Sequence, residues 1–137
     1  MSRRKWSFIG LFAILIFLLA GCGGTDTVVV TTGWSSLNER TVREVDSWSY
    51  TASRINGNAR RDIDFSAEEL ANLHVSSSNS EGNIQLTLSQ GDIEETFDIS
   101  DSFFGSIDTS AFESGQIRVA LRFDGARDID LLINWAS

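Results

Sequence analysis

Three aspartates near the end of the chain could provide the oxygen ligands of a metal site. Asp124, Asp128 and Asp130 lie close together in the sequence, and carboxylate oxygens are the ligands that calcium prefers. Their spacing matches no EF-hand loop. The alternative is a solvated acidic turn in which Arg127 balances the carboxylates. Calcium is therefore the one candidate cofactor, and otherwise we expect none.

Three aromatic side chains are candidate ligand contacts. Trp34 stands between Gly33 and Ser35, and an exposed tryptophan there would stack on sugar rings. Phe103 and Phe104 lie between two acidic stretches and form either a plug in the core or an apolar contact patch.

The residue types that catalysis needs are scarce in this chain. His74 is the only histidine, and it lies out of phase with inward-facing Leu73 and Val75, which predicts a surface position. The sequence contains no Gly-x-Ser-x-Gly turn, no Gly-x-x-x-x-Gly-Lys loop and no zinc-ligand cluster. We predict no catalytic residues and a protein that is not an enzyme.

The single cysteine, Cys22, follows a segment with a different chemistry. Residues 3–5 are basic, residues 6–19 are almost wholly apolar, and residues 20 and 21 are small. This order is typical of a secretory signal peptide rather than a structural helix. The alternative is an uncleaved membrane anchor with an incidental cysteine.

The sequence Leu19-Ala20-Gly21-Cys22 resembles the lipobox of bacterial lipoproteins. The resemblance implies cleavage before Cys22, a diacylglycerol on the Cys22 sulfur and an acylated amino terminus, and two or three acyl chains anchor a protein stably. It implies a signal peptide at residues 1–21, a tether at residues 22–33, and a location on the extracytoplasmic face of the cell membrane. Within the tether, the three valines at 28–30 could already form a strand. Residues 2–6 loosely resemble a twin-arginine signal, so the export route stays open.

The chain is acidic. It has 11 Lys and Arg against 19 Asp and Glu, for a net charge of −8. Residues 1–21 hold three of the basic residues and none of the acidic ones, which leaves −11 on the remainder. Such a surface repels nucleic acid and anionic lipid headgroups, so we expect no nucleic-acid partner. With Cys22 lipidated, no disulfide forms within one chain, and stability comes from an apolar core.

The dominant sequence period from residue 34 onward is two, as in strands with one buried and one solvated face. The alternating runs are residues 47–53, 62–65, 84–89, 117–124 and 129–135. Turn-forming sequences lie at residues 56–58, 79–82, 90–92 and 113–115. Only residues 66–70 look helical, with Ser66 as N-cap and Glu69 three residues later. We predict an all-β domain over residues 34–137, an antiparallel β-sandwich of seven or eight strands, jelly-roll or immunoglobulin-like.

The last two runs are expected to form a hairpin. Matching their inward-facing residues puts Phe123 opposite Ile129 and leaves residues 125–127 as the loop. Asp124 then lies opposite Asp128, a like-charge pair that a cation, an arginine or solvent would relieve. The sequence Arg-Asp-Ile-Asp at 127–130 also occurs at 61–64, and would add carboxylates if the two strands were neighbours.

The strand rhythm over about residues 59–135 is similar to that of pre-peptidase C-terminal domains. The similar features are a Leu-Thr-Leu strand, an acidic turn, a Gly-x-Ile-x-Val-x-Leu strand and a final Ile-Asn-Trp. The resemblance implies an accessory binding or adhesion-like module. Fold analogy alone does not assign a function.

Together these patterns predict a lipid-anchored, non-catalytic binding or structural module at the cell envelope. The first hypothesis is contact with an envelope protein, through an exposed sheet edge or through Phe103 and Phe104. The second is glycan binding, which requires at least one exposed tryptophan; the other two tryptophans of the mature chain, Trp48 and Trp135, are in phase with core residues. The third is a calcium-stabilised, adhesion-type domain.

Overall fold

The computed structural model describes residues 28–136, which contain nine β-strands and one short helix. The strands are β1 (Val29–Val30), β2 (Ser35–Leu37), β3 (Arg40–Arg43), β4 (Ser47–Phe65), β5 (His74–Ser78), β6 (Glu81–Gln90), β7 (Ile93–Asp98), β8 (Ser102–Ser106) and β9 (Gly115–Asn134). The helix α1 spans Ala67–Ala71. Cys22 and the proposed signal peptide lie outside the described residues.

Two long strands, β4 and β9, pair along their whole length and pass through both layers of the fold. Layer A contains the first half of β4 and the second half of β9, flanked by β2 and β3 on one side and by β5 and β8 on the other. Layer B contains the other halves of β4 and β9, flanked by β1 and by β6 and β7. Every pairing among these strands is antiparallel, which confirms the predicted all-β antiparallel sandwich. Residues 28–136 contain nine strands rather than the predicted seven or eight, because the short strands β1, β2 and β3 pair along one side of β4.

The two layers pack face to face through aromatic side chains. The ring centroids of Phe65 from layer B and Trp135 from layer A are 5.5 Å apart, and those of Tyr50 and Phe123 are 5.4 Å apart. Burial is the largest cause that raises the pKa of Tyr50 above its ordinary value. Trp48 and Trp135 are fully buried, so the prediction that they belong to the core is confirmed.

The period of two predicted the inward-facing residues of the long strands. Each of the following is buried: Trp48, Tyr50, Ala52, Ile63, Phe65, Ile84, Leu86, Leu88, Ile117, Val119, Leu121, Phe123, Ile129, Leu131 and Ile133. The helical prediction is also confirmed, because the Ser66 side chain accepts from the Glu69 N–H at 3.1 Å and the Glu69 carboxylate accepts from the Ser66 N–H at 2.9 Å. This reciprocal cap begins α1.

The predicted hairpin at residues 125–127 is wrong, because β9 continues through this segment. Phe123 pairs with Gly57 and Ile84, whereas Ile129 pairs with Ala52. Gly125 has a φ of +60°, and β9 contains one more residue than either neighbour at this point, which is a β-bulge. The bulge shifts the inward phase and leaves Ala126 buried without ending the strand.

The expected turn at residues 56–58 is likewise part of a strand, β4. The Asn56 side chain accepts a hydrogen bond from the Gly125 N–H at 3.1 Å, across the irregularity between the two long strands. Gly57 has a φ of +130°, a conformation that glycine adopts without strain. These residues bend β4 where the chain passes from one layer to the other.

The described part of the chain begins with a strand. Val29 and Val30, which lie at the end of the tether where the three valines suggested a strand, form β1 and pair with Arg60 and Ala59. Within residues 28–136, no helix has the length and apolar character that crossing a membrane requires.

Candidate ligand-binding groove

A groove of about 820 Å³ lies over the outer face of layer B. We refer to it as the groove. Its floor consists of outward-facing residues of β4, β9 and β6, one wall is β1 with Thr31 and Thr32, and the opposite wall is β7. Its volume falls within the range of pockets that bind small ligands, roughly 300–1,000 Å³.

Strand register aligns the floor and the β7 wall into three rows across β4, β9, β6 and β7. The central row is Arg60, Ala120, Thr87 and Thr96. The row on one side is Asn58, Arg122, Gln85 and Asp98, and the row on the other side is Asp62, Arg118, Ser89 and Glu94. Apart from the alanine, every member can form hydrogen bonds through its side chain.

Ala120 lies at the centre of this surface. It has the shortest side chain in the three rows, and it lies between Arg118 and Arg122 on β9. Arg60 is its partner on β4 and Thr87 its partner on β6. The longer side chains around it therefore leave a depression at the centre of the groove.

The groove is more basic than the chain as a whole. Among residues 28–136, its lining contains Arg60, Arg118 and Arg122 but a single carboxylate, Glu94, although the chain carries a net charge of −8. Arg118 donates from Nε to the Asp62 carboxylate at 3.1 Å. Within residues 28–136, Arg60 and Arg122 form no ion pair.

Hydrogen bonds hold the two walls in place. The Thr31 N–H donates to the Asn58 carbonyl at 3.0 Å, and the Asn58 N–H donates to the Thr31 hydroxyl at 3.3 Å. On the β7 side, the Thr87 and Thr96 hydroxyls are 3.0 Å apart and hydrogen-bonded. At the end of the neighbouring row, hydrogen bonds from the Ser100 side chain and backbone lower the pKa of Asp98.

Three smaller depressions continue the groove along the same face. Depressions of about 280 and 150 Å³ share Arg122 with it, at the end towards Asp124. A depression of about 260 Å³ shares Arg118 with it, at the end towards Gln116. From Gln116 to Asp124 the face extends about 26 Å along β9, at about 3.3 Å per residue.

Trp34 lies outside the groove lining, and its ring is only half buried. Its indole N–H donates to the Glu39 carboxylate at 3.1 Å, and its ring packs against those of Tyr50 and Phe123, at centroid distances of 6.0 and 5.8 Å. Among residues 28–136, Trp34 is the tryptophan that keeps an accessible surface, because Trp48 and Trp135 are buried.

Phe103 and Phe104 have different environments, although they are adjacent on β8. Phe103 is half buried and packs against the core, whereas Phe104 is 81% exposed. The Phe104 ring meets His74 edge to face, with a centroid distance of 4.7 Å. Phe103 therefore packs as a core plug, and Phe104 is an exposed apolar side chain on layer A.

The three aspartates of the candidate calcium site are exposed and are not gathered. The predicted cross-strand pairing of Asp124 with Asp128 is wrong, because β9 continues where the hairpin was expected. Asp124 pairs in register with Asn83, and Asp130 pairs with Thr51 and Ser78. Among residues 28–136, no group of three or more His, Cys, Asp or Glu residues is placed to hold a metal ion.

The two copies of the Arg-Asp-Ile-Asp sequence, at residues 61–64 and 127–130, have carboxylates that contact other residues. Asp128 accepts a hydrogen bond from the Ser80 hydroxyl at 2.6 Å. The strands that contain the two copies are neighbours, but Asp62 pairs with Arg118 rather than with residues 127–130. The second copy therefore adds no carboxylate to the first.

The sequence analysis missed the three arginines of the groove. The signal available on β9 is the alternation Arg118-x-Ala120-x-Arg122, a small residue between two arginines on a solvated strand face. The position of Arg60 beside Ala120 depends on the register between strands about 60 residues apart in sequence. No local pattern predicts that register.

Comparisons with known proteins find distant similarity in structure. No protein-family model matches the chain, and no curated protein matches its sequence. The structure is similar to TmCBM61 in complex with β-1,4-galactotriose, with 12% sequence identity, a TM-score of 0.41, and coverage of 84% of this chain and 89% of that chain.

It is also similar to two single-residue mutants of CBM29-2, a family 29 carbohydrate-binding module. One shows 16% identity over 80% of this chain and 85% of that chain, and the other 15% identity over 79% and 91%. Both have a TM-score of 0.38. With TM-scores below 0.5, these similarities assign no function to this chain.

Proposed function

We propose that this chain is a lipid-anchored, non-catalytic binding module of the cell envelope, and that its groove binds a glycan. The observation that supports this proposal is the arrangement of hydrogen-bonding side chains in three rows around Ala120. Sugar hydroxyls both donate and accept hydrogen bonds. The amides of Asn58 and Gln85 and the hydroxyls of Thr87 and Thr96 can do the same.

The shape and polarity of the groove favour a glycan chain over an apolar ligand. Among residues 28–136, no aromatic residue is part of its lining, and its apolar members are valines of the β1 wall, Ala59, Ala120 and Leu121. Glycan binding here would therefore rest on hydrogen bonds rather than on the exposed tryptophan that the sequence analysis required. The depressions beyond Arg118 and Arg122 continue the surface at both ends. An extended polar polymer can therefore lie along β9.

The small number of carboxylates in the groove supports binding rather than hydrolysis. Glycosidases use two carboxyl groups that flank the scissile bond, roughly 5–10 Å apart. The described part of the chain contributes one carboxyl group to the lining of the groove, that of Glu94. His74 lies on layer A, beside Phe104, and is not part of the groove.

The proposed anchor would hold the groove near the membrane. Cys22 precedes Val28, the first described residue, by six positions. Six residues span at most about 21 Å when fully extended. The β1 wall would then lie close to the lipid surface, so the ligand would be a glycan of the cell's own envelope or one that reaches it.

The test is affinity electrophoresis of the full-length chain in gels that contain soluble neutral or acidic polysaccharides. We expect at least one polysaccharide to retard the chain, and Ala120→Leu to abolish the retardation by filling the depression. Ser49→Leu, on the outer face of layer A, is the matched control and should be retarded like the wild type. If no polysaccharide retards the chain, or if both variants behave alike, the groove is not a glycan site.

A second candidate function is protein contact through β8. This strand pairs only with β5 among the strands described, contains no charged residue, and carries Phe104 with 81% of its surface exposed. Phe104→Ser is the suitable test because Phe103 is part of the core. If the contact exists, crosslinking in cells captures an envelope partner with the wild type but not with Phe104→Ser, whereas Ala120→Leu has no effect.

A further inference from the structure

We infer that the groove selects glycans that carry an anionic group, a carboxylate or a sulfate. The inference rests on the proposed function and adds the ligand class. It is carried by the position of three arginines around Ala120, two of which have no ion-pair partner among residues 28–136.

The arginines are close enough to act on one ligand. Arg60 is the cross-strand partner of Ala120, so it is the diagonal neighbour of both Arg118 and Arg122. Diagonal neighbours of this kind have Cα atoms about 7–8 Å apart. All three side chains leave the same face of layer B and surround one depression.

Their charges are only partly balanced. Asp62 accepts from Arg118 at 3.1 Å, and Glu94 stands on the far wall, two strands away from Arg118. Among residues 28–136, Arg60 and Arg122 form no ion pair, although Asp124 follows Arg122 by two positions on β9 and shares a depression with it. Their guanidinium groups are therefore available to a ligand. Neighbouring like charges are mildly unfavourable in a sheet, and an anion bound between them would relieve the repulsion.

The chemistry of these side chains suits a carboxylate or a sulfate. A guanidinium group donates two parallel hydrogen bonds to the oxygens of such a group and stays charged at every physiological pH. The remaining groove residues, such as Gln85 and Thr87, would contact the hydroxyls of the same sugar chain. The combination of arginines with neutral hydrogen-bonding groups matches an acidic polysaccharide.

Two other polyanions fit the surface less well. A membrane of anionic lipids is wide and would meet the acidic remainder of the chain, which carries far more Asp and Glu than Arg. A single-stranded nucleic acid is bound by aromatic side chains that stack on its bases, and residues 28–136 contribute no aromatic side chain to the groove lining. A narrow anionic glycan would contact chiefly the three arginines, although Asp62 and Asp124 line the depressions at the two ends of the groove.

The test compares pairs of polymers that differ only in charge. The full-length chain is run in affinity gels that contain polygalacturonate or its fully methyl-esterified form, and dextran sulfate or dextran. The variants are Arg60→Gln and Arg122→Gln, with Arg40→Gln of β3 in layer A as the matched control. We expect the acidic member of at least one pair to bind at least tenfold more tightly than its neutral counterpart. Each groove variant should lose about tenfold in affinity, as is usual for a charge-assisted hydrogen bond.

The outcomes separate this inference from the proposed function. If neutral polymers bind as tightly as acidic ones, or if the groove variants bind like Arg40→Gln, the inference is wrong and glycan binding still stands. If Ala120→Leu binds every polymer as the wild type does, or if no polymer binds, the proposed function is wrong and the inference falls with it.

Discussion

The guanidinium carbon of Arg61 lies 5.4 Å from the centre of the Trp135 ring, although both residues are almost completely buried. The same guanidinium group donates to the Ser47 carbonyl at 3.1 Å and to the Glu44 carbonyl at 2.9 Å. Arg61 belongs to the half of β4 in layer B, whereas its partners lie in or beside layer A. This buried cation therefore joins the two layers and satisfies backbone groups between them.

Replacement of this arginine should destabilise the domain. Arg61→Met keeps much of the apolar stem but removes both hydrogen bonds to the carbonyls, and we expect a loss of about 2 kcal/mol in the free energy of unfolding. Urea denaturation measures it. Arg60→Met, on the exposed side of the same strand, is the control and should change stability by less than about 0.5 kcal/mol. Equal stability of the two variants would contradict the structural role of Arg61.

The approach of β6 to the bulge in β9 leaves no room for a side chain at Gly82. Gly82 has a φ of +78°, and a Cβ at this position would collide with the backbone of Asp124 and Gly125. We expect Gly82→Ala to cost about 3 kcal/mol or more, because both the backbone conformation and the contact become strained.

Gly91 provides the matched control for this substitution. It has a φ of +58° in the β6–β7 turn, and a Cβ there would meet nothing within 4 Å. Gly91→Ala should cost only the backbone penalty of about 1–2 kcal/mol. Thermal unfolding of both variants measures the difference. If Gly82→Ala is no less stable than Gly91→Ala, the close contact between β6 and β9 is wrong.

The carboxyl group of Asp98 should titrate at an unusually low pH. Hydrogen bonds from Ser100 lower its pKa in the folded chain, and Ser100→Ala should raise that pKa towards the ordinary value. NMR titration of the side-chain carbon measures it. A pKa that is the same in Ser100→Ala and in the wild type would contradict this hydrogen-bond arrangement.

The lowered pKa also sets the sign of the pH dependence of stability. Because the folded pKa is below the unfolded value of about 3.9, the stabilisation by Asp98 is fully present above that value and is lost as the pH falls through the folded pKa. The pH-dependent part of the difference between the wild type and Ser100→Ala should therefore disappear in strong acid. It should be absent at every pH when Asp98 is replaced by Asn in both chains.

Calcium should have no effect on the stability of the domain. Asp124, Asp128 and Asp130 are exposed side chains spread along β9 rather than gathered around one point. We therefore expect that they do not provide the six or more oxygen ligands that a calcium ion needs. We expect the melting temperature to be the same in millimolar calcium and in EDTA. A rise with calcium that Asp128→Ala abolishes would show that the aspartates do form a site.

Much of the fold could be predicted from the sequence because burial in a two-layer sheet imposes a period of two. The same rule explains why Trp48 and Trp135 were placed correctly in the core. The capping box at Ser66 and Glu69 could be predicted because both of its hydrogen bonds are local, three residues apart.

The errors arise where distant residues decide the local conformation. The sequence around Gly125 is also typical of a hairpin loop. In the structure, however, the Gly125 N–H donates a hydrogen bond to the Asn56 side chain, 69 residues away. This contact and the close approach of Gly82 favour a bulge in a continuous strand. The groove depends on the same long-range register between β4 and β9. The sequence alone therefore does not predict that its three arginines lie close together.

The most direct test of glycan binding in the groove is to map the residues that a bound glycan contacts. Full-length protein labelled with ¹⁵N would be titrated with fragments of a polysaccharide that retards it in the gels, and its backbone amide shifts followed by NMR. We predict that the largest shifts occur at Asn58, Arg60, Thr87 and Ala120, with little change at Phe104. Shifts centred on Phe104 and His74, or shifts that leave the groove unchanged, would contradict the central claim that the groove of layer B is the ligand-binding surface.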